Sequence, residues 1–511
     1  MQQAPLLLGI DVGTTNCKAL IFDTAGVQRA SASASTPVRH PRPGWAEHDP
    51  EALWQAVVAV VRQALAQVER SRVVGVAVAS VAEAGLLLDA AGGPLHPVIA
   101  WYDSRSDPQY RRWCDQFGAE RFLSVAGNRP NPTYGVFKLQ WLRDNLPDIY
   151  SAAVRWLHVA DYIAFRLSGA QATDYSLATR TMLFDLLGLR WSDELIAAAG
   201  LRADLLPEVV PAGTRIGEVT QIVASATGLP AGVVVGCGGH DHICGALAAG
   251  AYHEGVGLDS MGTAEPAFLP LDALRLGAAP GGIPTQGVAA RCSFSAHVAR
   301  GKYCAMRGIR SSGAAVAWAG RLLDLGAGDA ASYERMQAAA AQAPPGSRGV
   351  FFLPHLAPID RGAFVGLIAD AGPAELARAV YEGLAYEWRA YLEAIEQVTG
   401  SRATTIKLIG GGAQTALWVQ IKADVLGRPL HVLDMKESTA LGAALLAGLA
   451  AGVFRDEAAA LAGLRHAEHI VAPDERNAAL YDRCYRAVYQ RLAPALAEAQ
   501  QAIGELRLGE I

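Results

Sequence analysis

The sequence predicts an α/β protein built from two related lobes. Strand-like and helix-like segments alternate along most of the 511 residues, which is typical of the α/β class. That length exceeds what one ordinary hydrophobic core accommodates, so at least two domains are expected. A strand, a Gly-Thr turn and a returning strand occur at residues 6–23 and again at residues 255–271. We therefore expect the second half of the chain to repeat the design of the first.

The first half opens with a predicted β-hairpin. The apolar runs "LLLGI" and "ALIFD" flank the turn-rich segment "DVGTTNCK". A helix should follow, because Asp49 suits its N-cap, Pro50 suits its first turn, and apolar residues recur at helical spacing from Leu53. The run "VVGVAVAS" that begins at Val73 then predicts a buried strand.

The second half predicts a second hairpin, a glycine-rich loop and a buried helix. Residues 404–433 have the pattern of a strand, the loop "GGGAQ", a helix stopped by glycine and another strand. Residues 439–454 form the longest apolar stretch, which is rich in alanine and glycine. The stretch falls short of the roughly 18 residues that indicate a membrane span. It is therefore predicted to be a tightly packed helix inside the protein.

The overall charge and the cysteines restrict the class of partner. The formal charge of -5 is spread without a long run of either sign, which gives no electrostatic reason to expect nucleic acid or a membrane surface. The seven cysteines are odd in number and scattered from Cys17 to Cys484, so they do not resemble a disulfide framework. The first residues lack the basic region of a signal peptide. We expect a cytoplasmic protein with a small-molecule partner.

The first hairpin turn has the residues of a phosphate site. Gly13, Thr14 and Thr15 offer backbone N–H groups and hydroxyls, Lys18 adds positive charge, and Asp11 suits a hydrated Mg²⁺ ion. An ordinary hairpin with a polar turn is the alternative. The segments "DSMGT" and "GGGAQ" favour the phosphate site, because an enclosed nucleotide needs several strand-end loops of this kind.

Two longer segments resemble the signatures of the FGGY family of carbohydrate kinases. Residues 362–382 ("GAFVGLIADAGPAELARAVYE") match the opening and the close of the longer signature. Residues 133–145 ("TYGVFKLQWLRDN") resemble the other, with Lys138, Trp141 and Asn145 in place but Gly135 where Pro, Ser or Thr is usual. The segments "WYDSR", "TDYSLATRTMLFD" and "IGGGAQTALWVQIKADVLG" also look like family segments, so the resemblance extends over most of the chain.

The resemblance implies two actin-like domains of the RNase H type, with ATP and substrate in the cleft between them. We expect the domains at residues 1–250 and 251–511. The resemblance also implies roles for individual residues. These are Asp11 for Mg²⁺, Gly13, Thr14, Thr15 and Lys18 for phosphate, Gly262 and Thr263 for the second phosphate loop, Gly411, Gly412 and Ala413 for the adenosine side, and Asp241 for the catalytic base.

The segment "CGGHDHIC" around Asp241 raises the alternative of a zinc site. Its four Cys and His residues have a spacing that is unusual for zinc and would converge poorly on a tetrahedral ion. We favour a strand and loop that lead into a helix, with Cys237 and Cys244 packed as small buried residues. His240 and His242 either support the substrate or pack in the loop. Asp241 would accept the proton of the attacking hydroxyl, or else only cap the helix.

The substrate side departs from the patterns of known subfamilies. Where xylulose kinases of the family carry Gln-Met-His-Gly and glycerol kinases an Arg-Glu pair, this chain has "SVAEAG". Glu83 would accept hydrogen bonds from substrate hydroxyls, or would be solvated or cap a helix. Trp101 and Asp103 would add an apolar wall and an acceptor, although Trp101 also suits a core position. With Asp241 and His242, such a pocket suits an uncharged polyol or ketose better than a sugar acid.

The sequence leaves more than one class of function open. We expect an ATP-dependent kinase for a small ketose or sugar alcohol, most similar to xylulose kinases, with glycerol and other polyols as alternatives. An actin-like or chaperone-like ATPase would share the phosphate hairpins but would not need Asp241 or the two signatures. A homodimer is possible for such an enzyme.

Overall fold

The computed structural model of the chain describes residues 4–274, 291–326, 329–356 and 361–505. The strands are β1 Leu6–Val12, β2 Asn16–Asp23, β3 Gln28–Ser35, β4 Glu47–His48, β5 Val73–Ser80, β6 Gly85–Leu88, β7 Val98–Ile99, β8 Arg155–His158, β9 Ala172–Asp174, β10 Phe184–Asp185, β11 Arg190–Trp191, β12 Glu208–Val210, β13 Arg215–Glu218, β14 Val234–His240, β15 Val256–Ser260, β16 Glu265–Leu271, β17 Ser293–Ala296, β18 Tyr303–Ile309, β19 Phe351–Leu353, β20 Ala363–Val365, β21 Thr405–Ile409, β22 Leu430–Leu433 and β23 Glu468–Val471.

Helices separate most of these strands. They are α1 Pro50–Leu65, α2 Asp107–Phe117, α3 Leu123–Ala126, α4 Gly135–Asn145, α5 Pro147–Ala152, α6 Val159–Ser168, α7 Tyr175–Thr179, α8 Asp193–Ala199, α9 Gln221–Thr227, α10 Asp241–Ala248, α11 Gly313–Leu322, α12 Ala330–Ala340, α13 Pro373–Thr399, α14 Ala416–Leu426, α15 Ser438–Ala450, α16 Glu457–Ala462, α17 Glu475–Cys484 and α18 Gln490–Glu505. The predicted α/β class is confirmed.

The first large sheet has the order β13-β14-β5-β1-β2-β3. The predicted hairpin is confirmed, because β1 and β2 pair antiparallel with Asp11 opposite Lys18. The strands β1, β5 and β14 run parallel, and Val12 and His240 both pair with Ser80. Their carboxyl ends therefore meet at one edge of the sheet, where ligands bind in open α/β sheets.

The second large sheet repeats this arrangement. Its order is β17-β18-β16-β15-β21-β22-β23. The hairpin β15–β16 is antiparallel, β15, β21 and β22 are parallel, and β18 and β23 pair antiparallel at positions equivalent to β3 and β13. Six of the seven strands that the structure describes in this sheet thus have a counterpart in the first sheet, β17 being the additional one, and the predicted repetition between the two halves is confirmed.

Helix α15 connects the two halves. The predicted buried helix is confirmed, and it contacts β1, β5 and β14 of the first sheet as well as α10. The contact is backbone to backbone: a Cβ on Gly9 would lie 1.8 Å from the Ala440 carbonyl oxygen, and one on Gly442 would lie 2.0 Å from that of Cys244. Only glycine permits this approach.

None of the helices in the described ranges combines the length and apolar character that crossing a membrane requires.

Candidate active site

The first phosphate turn lies at the carboxyl-terminal edge of the first sheet. Gly13 closes the turn by donating its N–H to the Asn16 carbonyl oxygen at 3.0 Å. The segment after β3 supports the turn, because the Thr36 hydroxyl donates to the Gly13 carbonyl oxygen at 2.9 Å and the Thr36 N–H donates to that of Thr15 at 2.8 Å. The segment after β3 thus fixes the backbone of the turn, while Thr15 is exposed to solvent.

Lys18 and Glu437 form an ion pair beside this turn. The Lys18 ammonium group donates to the two carboxylate oxygens of Glu437 at 2.8 and 3.1 Å. The two side chains are 29% and 31% exposed, so phosphate oxygens can reach the ammonium group from the cleft. Glu437 directly precedes α15 and was missed by the sequence reasoning. Its partner is 419 positions away, and no local pattern indicated the pair.

Asp11 and Asp241 face the same polar space. Burial raises the pKa of Asp11 to about 8; the negative charges of Asp241 and Glu437 add to the rise, and the positive charge of Lys18 opposes it. Burial likewise raises the pKa of Asp241, with a further contribution from Glu83. Carboxylates that destabilise one another in this way create a site where a cation is favourable.

Asp241 is the first residue of α10, directly after β14. The His242 N–H donates to its Oδ1 at 2.6 Å, and His240 Nε2 lies 3.2 Å from the same oxygen. Burial lowers the pKa of His240 well below its usual range, so this ring is neutral at ordinary pH. The side chain of Asp241 is 19% exposed, which leaves it accessible for a substrate hydroxyl.

The residues around Asp241 are arranged as a strand that enters a helix. Cys237 lies in β14 and Cys244 in α10, and both are buried as predicted. His240 is buried and His242 is exposed. In the parts of the chain that the structure describes, no group of three or more His, Cys, Asp or Glu side chains has an arrangement suited to a metal ion.

A magnesium ion needs fewer protein ligands than a group of three side chains. Mg²⁺ keeps several waters and is held by one or two carboxylates together with substrate phosphates. Asp11 and Asp241 lie beside the Lys18 turn and offer such carboxylates, and the negative charge of Asp241 raises the pKa of Asp11. The residues present therefore fit Mg²⁺ bound together with a nucleotide.

The second phosphate turn rests on the start of α11. Gly262 and Thr263 are exposed, and their carbonyl oxygens accept hydrogen bonds from the N–H groups of Gly313 and Ser312 at 3.1 and 2.9 Å. The turn thus has a fixed place at the edge of the second sheet. Its position corresponds to that of residues 13–15 in the first sheet.

The predicted adenosine-side loop contacts the second turn directly. Gly412 donates its N–H to the Met261 carbonyl oxygen at 3.0 Å. Gly410 has φ +95, and a Cβ there would lie 2.7 Å from the same oxygen, so glycine is required. A Cβ on Gly411 would meet nothing within 4 Å, which leaves open space in front of the loop. Ala413 is buried, and its N–H donates to the Gly410 carbonyl oxygen at 3.3 Å.

Glu83 and Arg180 form the centre of the predicted substrate side. Glu83 is buried with φ 60, a left-handed conformation that is uncommon for non-glycine residues. Arg180 Nε donates to Glu83 Oε1 at 2.6 Å, and its Nη1 donates to Ser293 Oγ at 2.9 Å. The guanidinium group lies 4.8 Å from the Tyr134 ring centre. Arg180 lies in the family-like segment "TDYSLATRTMLFD", but no local pattern indicated its role.

Trp101 and Asp103 differ in what they offer a substrate. The Trp101 indole N–H donates to Thr14 Oγ1 at 2.9 Å, and the side chain is 38% exposed, so it is not a core residue. Asp103 is buried and accepts from the Ala46 N–H and from three N–H groups of Arg105 at 2.6–2.8 Å. These contacts favour a role for Asp103 in holding Arg105, which also pairs with Glu47 at 2.8 Å.

Comparison with known proteins agrees with this geometry. Residues 6–248 match the N-terminal domain, and residues 273–451 the C-terminal domain, of the FGGY family of carbohydrate kinases. A xylulose kinase from Klebsiella pneumoniae is 31% identical over 96% of this chain and 100% of its own length. A glycerol kinase from Citrifermentans bemidjiense is 31% identical over 89% of this chain and 92% of its own.

Solved structures extend the agreement to the fold. The crystal structure of a xylulose kinase from Rhodospirillum rubrum, 29% identical, covers 97% of this chain and 99% of its own with a TM-score of 0.86. The predicted two-domain, actin-like architecture is thereby confirmed. The chain belongs to the FGGY family of carbohydrate kinases, and it is an enzyme that phosphorylates a sugar or polyol.

Proposed function

We propose that the chain transfers the γ-phosphoryl group of ATP to a hydroxyl of a small, uncharged ketose or sugar alcohol, in the manner of xylulose kinases. The observation that carries the proposal is the position of Asp241 at the sheet edge, beside Asp11 and the Lys18 turn. Carbohydrate kinases of this family use ATP, generally with Mg²⁺. Phosphoryl transfer needs little covalent chemistry from the protein, so one correctly placed base is sufficient.

Asp241 is the proposed general base. Its carboxylate accepts the proton of the substrate hydroxyl as that oxygen attacks phosphorus, and the His242 N–H fixes the orientation of the carboxylate. The pKa of Asp241 lies above the ordinary range, which strengthens it as a proton acceptor. When bound, Mg·ATP supplies the phosphoryl group, and its cation offsets the charge that develops on it.

The remaining nucleotide contacts are proposed from the same geometry. Asp11 would hold Mg²⁺, and Lys18 would bind phosphate after exchanging part of its contact with Glu437. The phosphates and adenosine would lie against three loops at the edges of the two sheets. These are Gly13, Thr14 and Thr15 in the first turn, Gly262 and Thr263 in the second, and Gly411, Gly412 and Ala413 on the adenosine side.

The charge balance of the substrate side supports an uncharged substrate. Arg180 is the cation nearest to Glu83, and its charge is already compensated by that carboxylate. A sugar acid would have to displace Glu83 to pair with it, whereas the hydroxyls of a polyol bond to the pair as it stands. Trp101 would provide an apolar wall. His242 follows the base in the sequence and is exposed, so it would contact the substrate, and Asp103 would act through Arg105.

Glycerol is the second candidate substrate. Glycerol kinases of the family carry an Arg-Glu pair where this chain has Ala82 and Glu83. Here Arg180 pairs with Glu83 from another segment, which supplies an Arg-Glu pair in space although not in sequence. This observation favours a short polyol, and the similarity to a xylulose kinase and to a glycerol kinase is equal at 31% identity.

The test is a screen of ketoses, polyols and sugar acids with ATP and Mg²⁺, followed through ADP formation. We expect ADP release to depend on one uncharged ketose or polyol. Equal ADP release without any sugar would instead support a nucleotide-switch ATPase, and a response limited to sugar acids would contradict the proposed pocket. Asp241→Asn protein provides the background rate.

Three further expectations belong to this proposal. We propose a domain boundary near residue 250, which lies between the two matched segments 6–248 and 273–451. A cytoplasmic location is supported by the seven cysteines, all of which have free thiols in the structure. A homodimer remains a prediction that light scattering of the purified protein would test.

A further inference from the structure

A buried ionic cluster lies beneath the second phosphate turn. The Lys422 ammonium group donates to a carboxylate oxygen of Asp259 and to one of Glu265, and all three side chains are almost completely buried. The Ser312 hydroxyl donates to the other oxygen of Glu265. Nothing in the proposed chemistry uses these four residues.

The cluster connects every segment that forms the nucleotide side of the second lobe. Asp259 lies near the end of β15 and Glu265 begins β16, so the two carboxylates flank the turn at residues 261–264. Lys422 lies on α14, the helix that follows the adenosine-side loop. Ser312 precedes α11, and its N–H donates to the Thr263 carbonyl oxygen.

Stability alone does not explain a buried ionic cluster of this kind. Two carboxylates and one ammonium group are removed from water, and apolar residues of similar volume commonly stabilise a fold as well or better. Lys422 is also enclosed by aromatic rings, with its Nζ 5.1 Å from the ring centre of Trp388 and 5.8 Å from that of Trp418. Charged hydrogen bonds are directional, so they fix the relative positions of the groups that they join, whereas apolar contacts do not.

We propose that Lys422 is a positioning residue for the nucleotide. It fixes the turn at Gly262 and Thr263 relative to the loop at residues 410–414, through Asp259 and Glu265 on one side and helix α14 on the other. Met261 transmits the same constraint, since its carbonyl oxygen accepts from the Gly412 N–H. This inference rests on the proposed nucleotide role of the two loops.

The distinguishing consequence is a selective effect on nucleotide binding. If Lys422 sets the loop geometry, then Lys422→Met weakens ADP binding and raises KM for ATP while KM for the sugar stays unchanged. The proposed sugar side centres on Glu83 and Arg180, where Arg180 bonds to Glu83 and to Ser293. A displacement of the loops by a fraction of an ångström would weaken nucleotide binding roughly tenfold.

Arg378 provides a matched control in the same lobe. Its guanidinium group is buried and donates to Glu382 at 2.8 Å and to the Tyr481 hydroxyl at 2.9 Å, in a cluster at α12, α13 and α17. Arg378→Met also removes a buried cation from an ionic cluster. We expect it to lower the melting temperature as Lys422→Met does, but to leave ADP affinity unchanged.

The experiment measures ADP binding with Mg²⁺ by calorimetry, together with KM for ATP and for the sugar and the thermal melting of each variant. Glu265→Gln, which keeps the shape of the side chain, serves if Lys422→Met does not fold, and a roughly threefold loss of ADP affinity is expected. Lys422→Met/Glu265→Gln should regain melting temperature without regaining ADP affinity.

Two results would overturn the proposal. One is a Lys422→Met or Glu265→Gln protein that binds ADP as tightly as the wild type, and the other is an equal loss of ADP affinity in Arg378→Met, which would show a general effect of instability. If the wild-type protein itself binds no ADP with Mg²⁺, the proposed function fails and the inference falls with it. A wild type that binds ADP and uses a different acceptor leaves the role of Lys422 intact.

Discussion

The hairpins β1–β2 and β15–β16 occupy equivalent places in the two sheets but use their charged residues in opposite ways. Around the first turn, Asp11, Lys18 and Glu437 lie at the cleft, where the latter two are about 30% exposed. Beneath the second turn, Asp259 and Lys422 are sealed inside the lobe. The same supersecondary structure therefore has partly exposed charges beside its turn in one lobe and buried charges beneath its turn in the other.

The spacing between the aspartate and the glycine of each turn explains this difference. Asp11 lies two positions before Gly13, whereas Asp259 lies three positions before Gly262. Because successive side chains of a strand point to opposite faces, an offset of one residue turns the aspartate from one face of the sheet to the other. Two turns that look alike in sequence thus place their aspartates differently, and the number of residues between the aspartate and the glycine indicates which face of the sheet the aspartate lies on.

The largest expected effect tests whether the chemistry belongs to the edge of the first sheet. Asp241→Asn removes the proposed proton acceptor but retains the size of the side chain. We expect turnover to fall by about 10³-fold, with thermal melting within a few degrees of the wild type. The measurement is sugar-dependent ADP formation, and near-normal turnover in the folded variant would refute the assignment of the base.

A pair of matched substitutions compares the two hairpins directly. Asp11→Asn should lower turnover by roughly 10²-fold, because it removes the proposed Mg²⁺ ligand, and should leave stability unchanged or higher by relieving repulsion with Asp241. Asp259→Asn should lower the free energy of unfolding by roughly 2 kcal/mol, because it breaks one contact of a buried ion cluster. Urea denaturation measures the free energy of unfolding, and ADP formation measures turnover. A loss of stability in Asp11→Asn together with a loss of turnover alone in Asp259→Asn would contradict the comparison.

A smaller effect is expected at the substrate side of the first lobe. Glu83→Gln removes the charge that compensates Arg180 and weakens acceptance from substrate hydroxyls. We expect KM for the sugar to rise about tenfold, the strength of one charged hydrogen bond, with no change in ADP affinity. Steady-state kinetics at saturating ATP provides the measurement, and a change confined to KM for ATP would count against the assignment.

The smallest effect concerns pH. The carboxylate form of Asp241 is the active base, so activity is present above its pKa and is lost as the pH falls through it. Since burial raises that pKa, the acid limb of kcat/KM should lie above the range of an ordinary carboxyl group. The negative charge of Glu83 adds to the rise, so Glu83→Gln should move the limb to lower pH. If the acid limb of kcat/KM instead moved to higher pH in Glu83→Gln, the predicted direction of the shift would be wrong.

Local features of this fold could be predicted from the sequence, whereas its long-range ion pairs could not. The start of α1 is an example of the first kind, because Asp49 accepts from the N–H groups of Glu51 and Ala52 at 3.0 Å, as its position before Pro50 predicts. The pairs Lys18–Glu437 and Arg180–Glu83 are of the second kind. Their partners lie 419 and 97 positions apart, and only the paired sheets bring them together.

The family resemblance predicts which residues form the site, but it does not predict how each of them is held. Asp103 looked like a free acceptor in "WYDSR", and the structure fills its oxygens with Arg105 and Ala46. Lys138 belongs to a quoted signature, and burial lowers its pKa to about 8 while it donates to the carbonyl oxygens of Thr133 and Trp101. Contacts of this kind depend on the tertiary fold, which pattern and spacing do not specify.

The close packing of α15 against glycine residues of the first sheet has a consequence for folding during synthesis. The N-terminal sheet receives the helix that covers one of its faces only after residue 450 has left the ribosome, because α15 lies on β1, β5 and β14. Until then this apolar surface is exposed and prone to association with other nascent chains. A fragment that ends at residue 250 would keep that surface in water permanently, so the two halves should be soluble when synthesised as one polypeptide and aggregate when expressed apart.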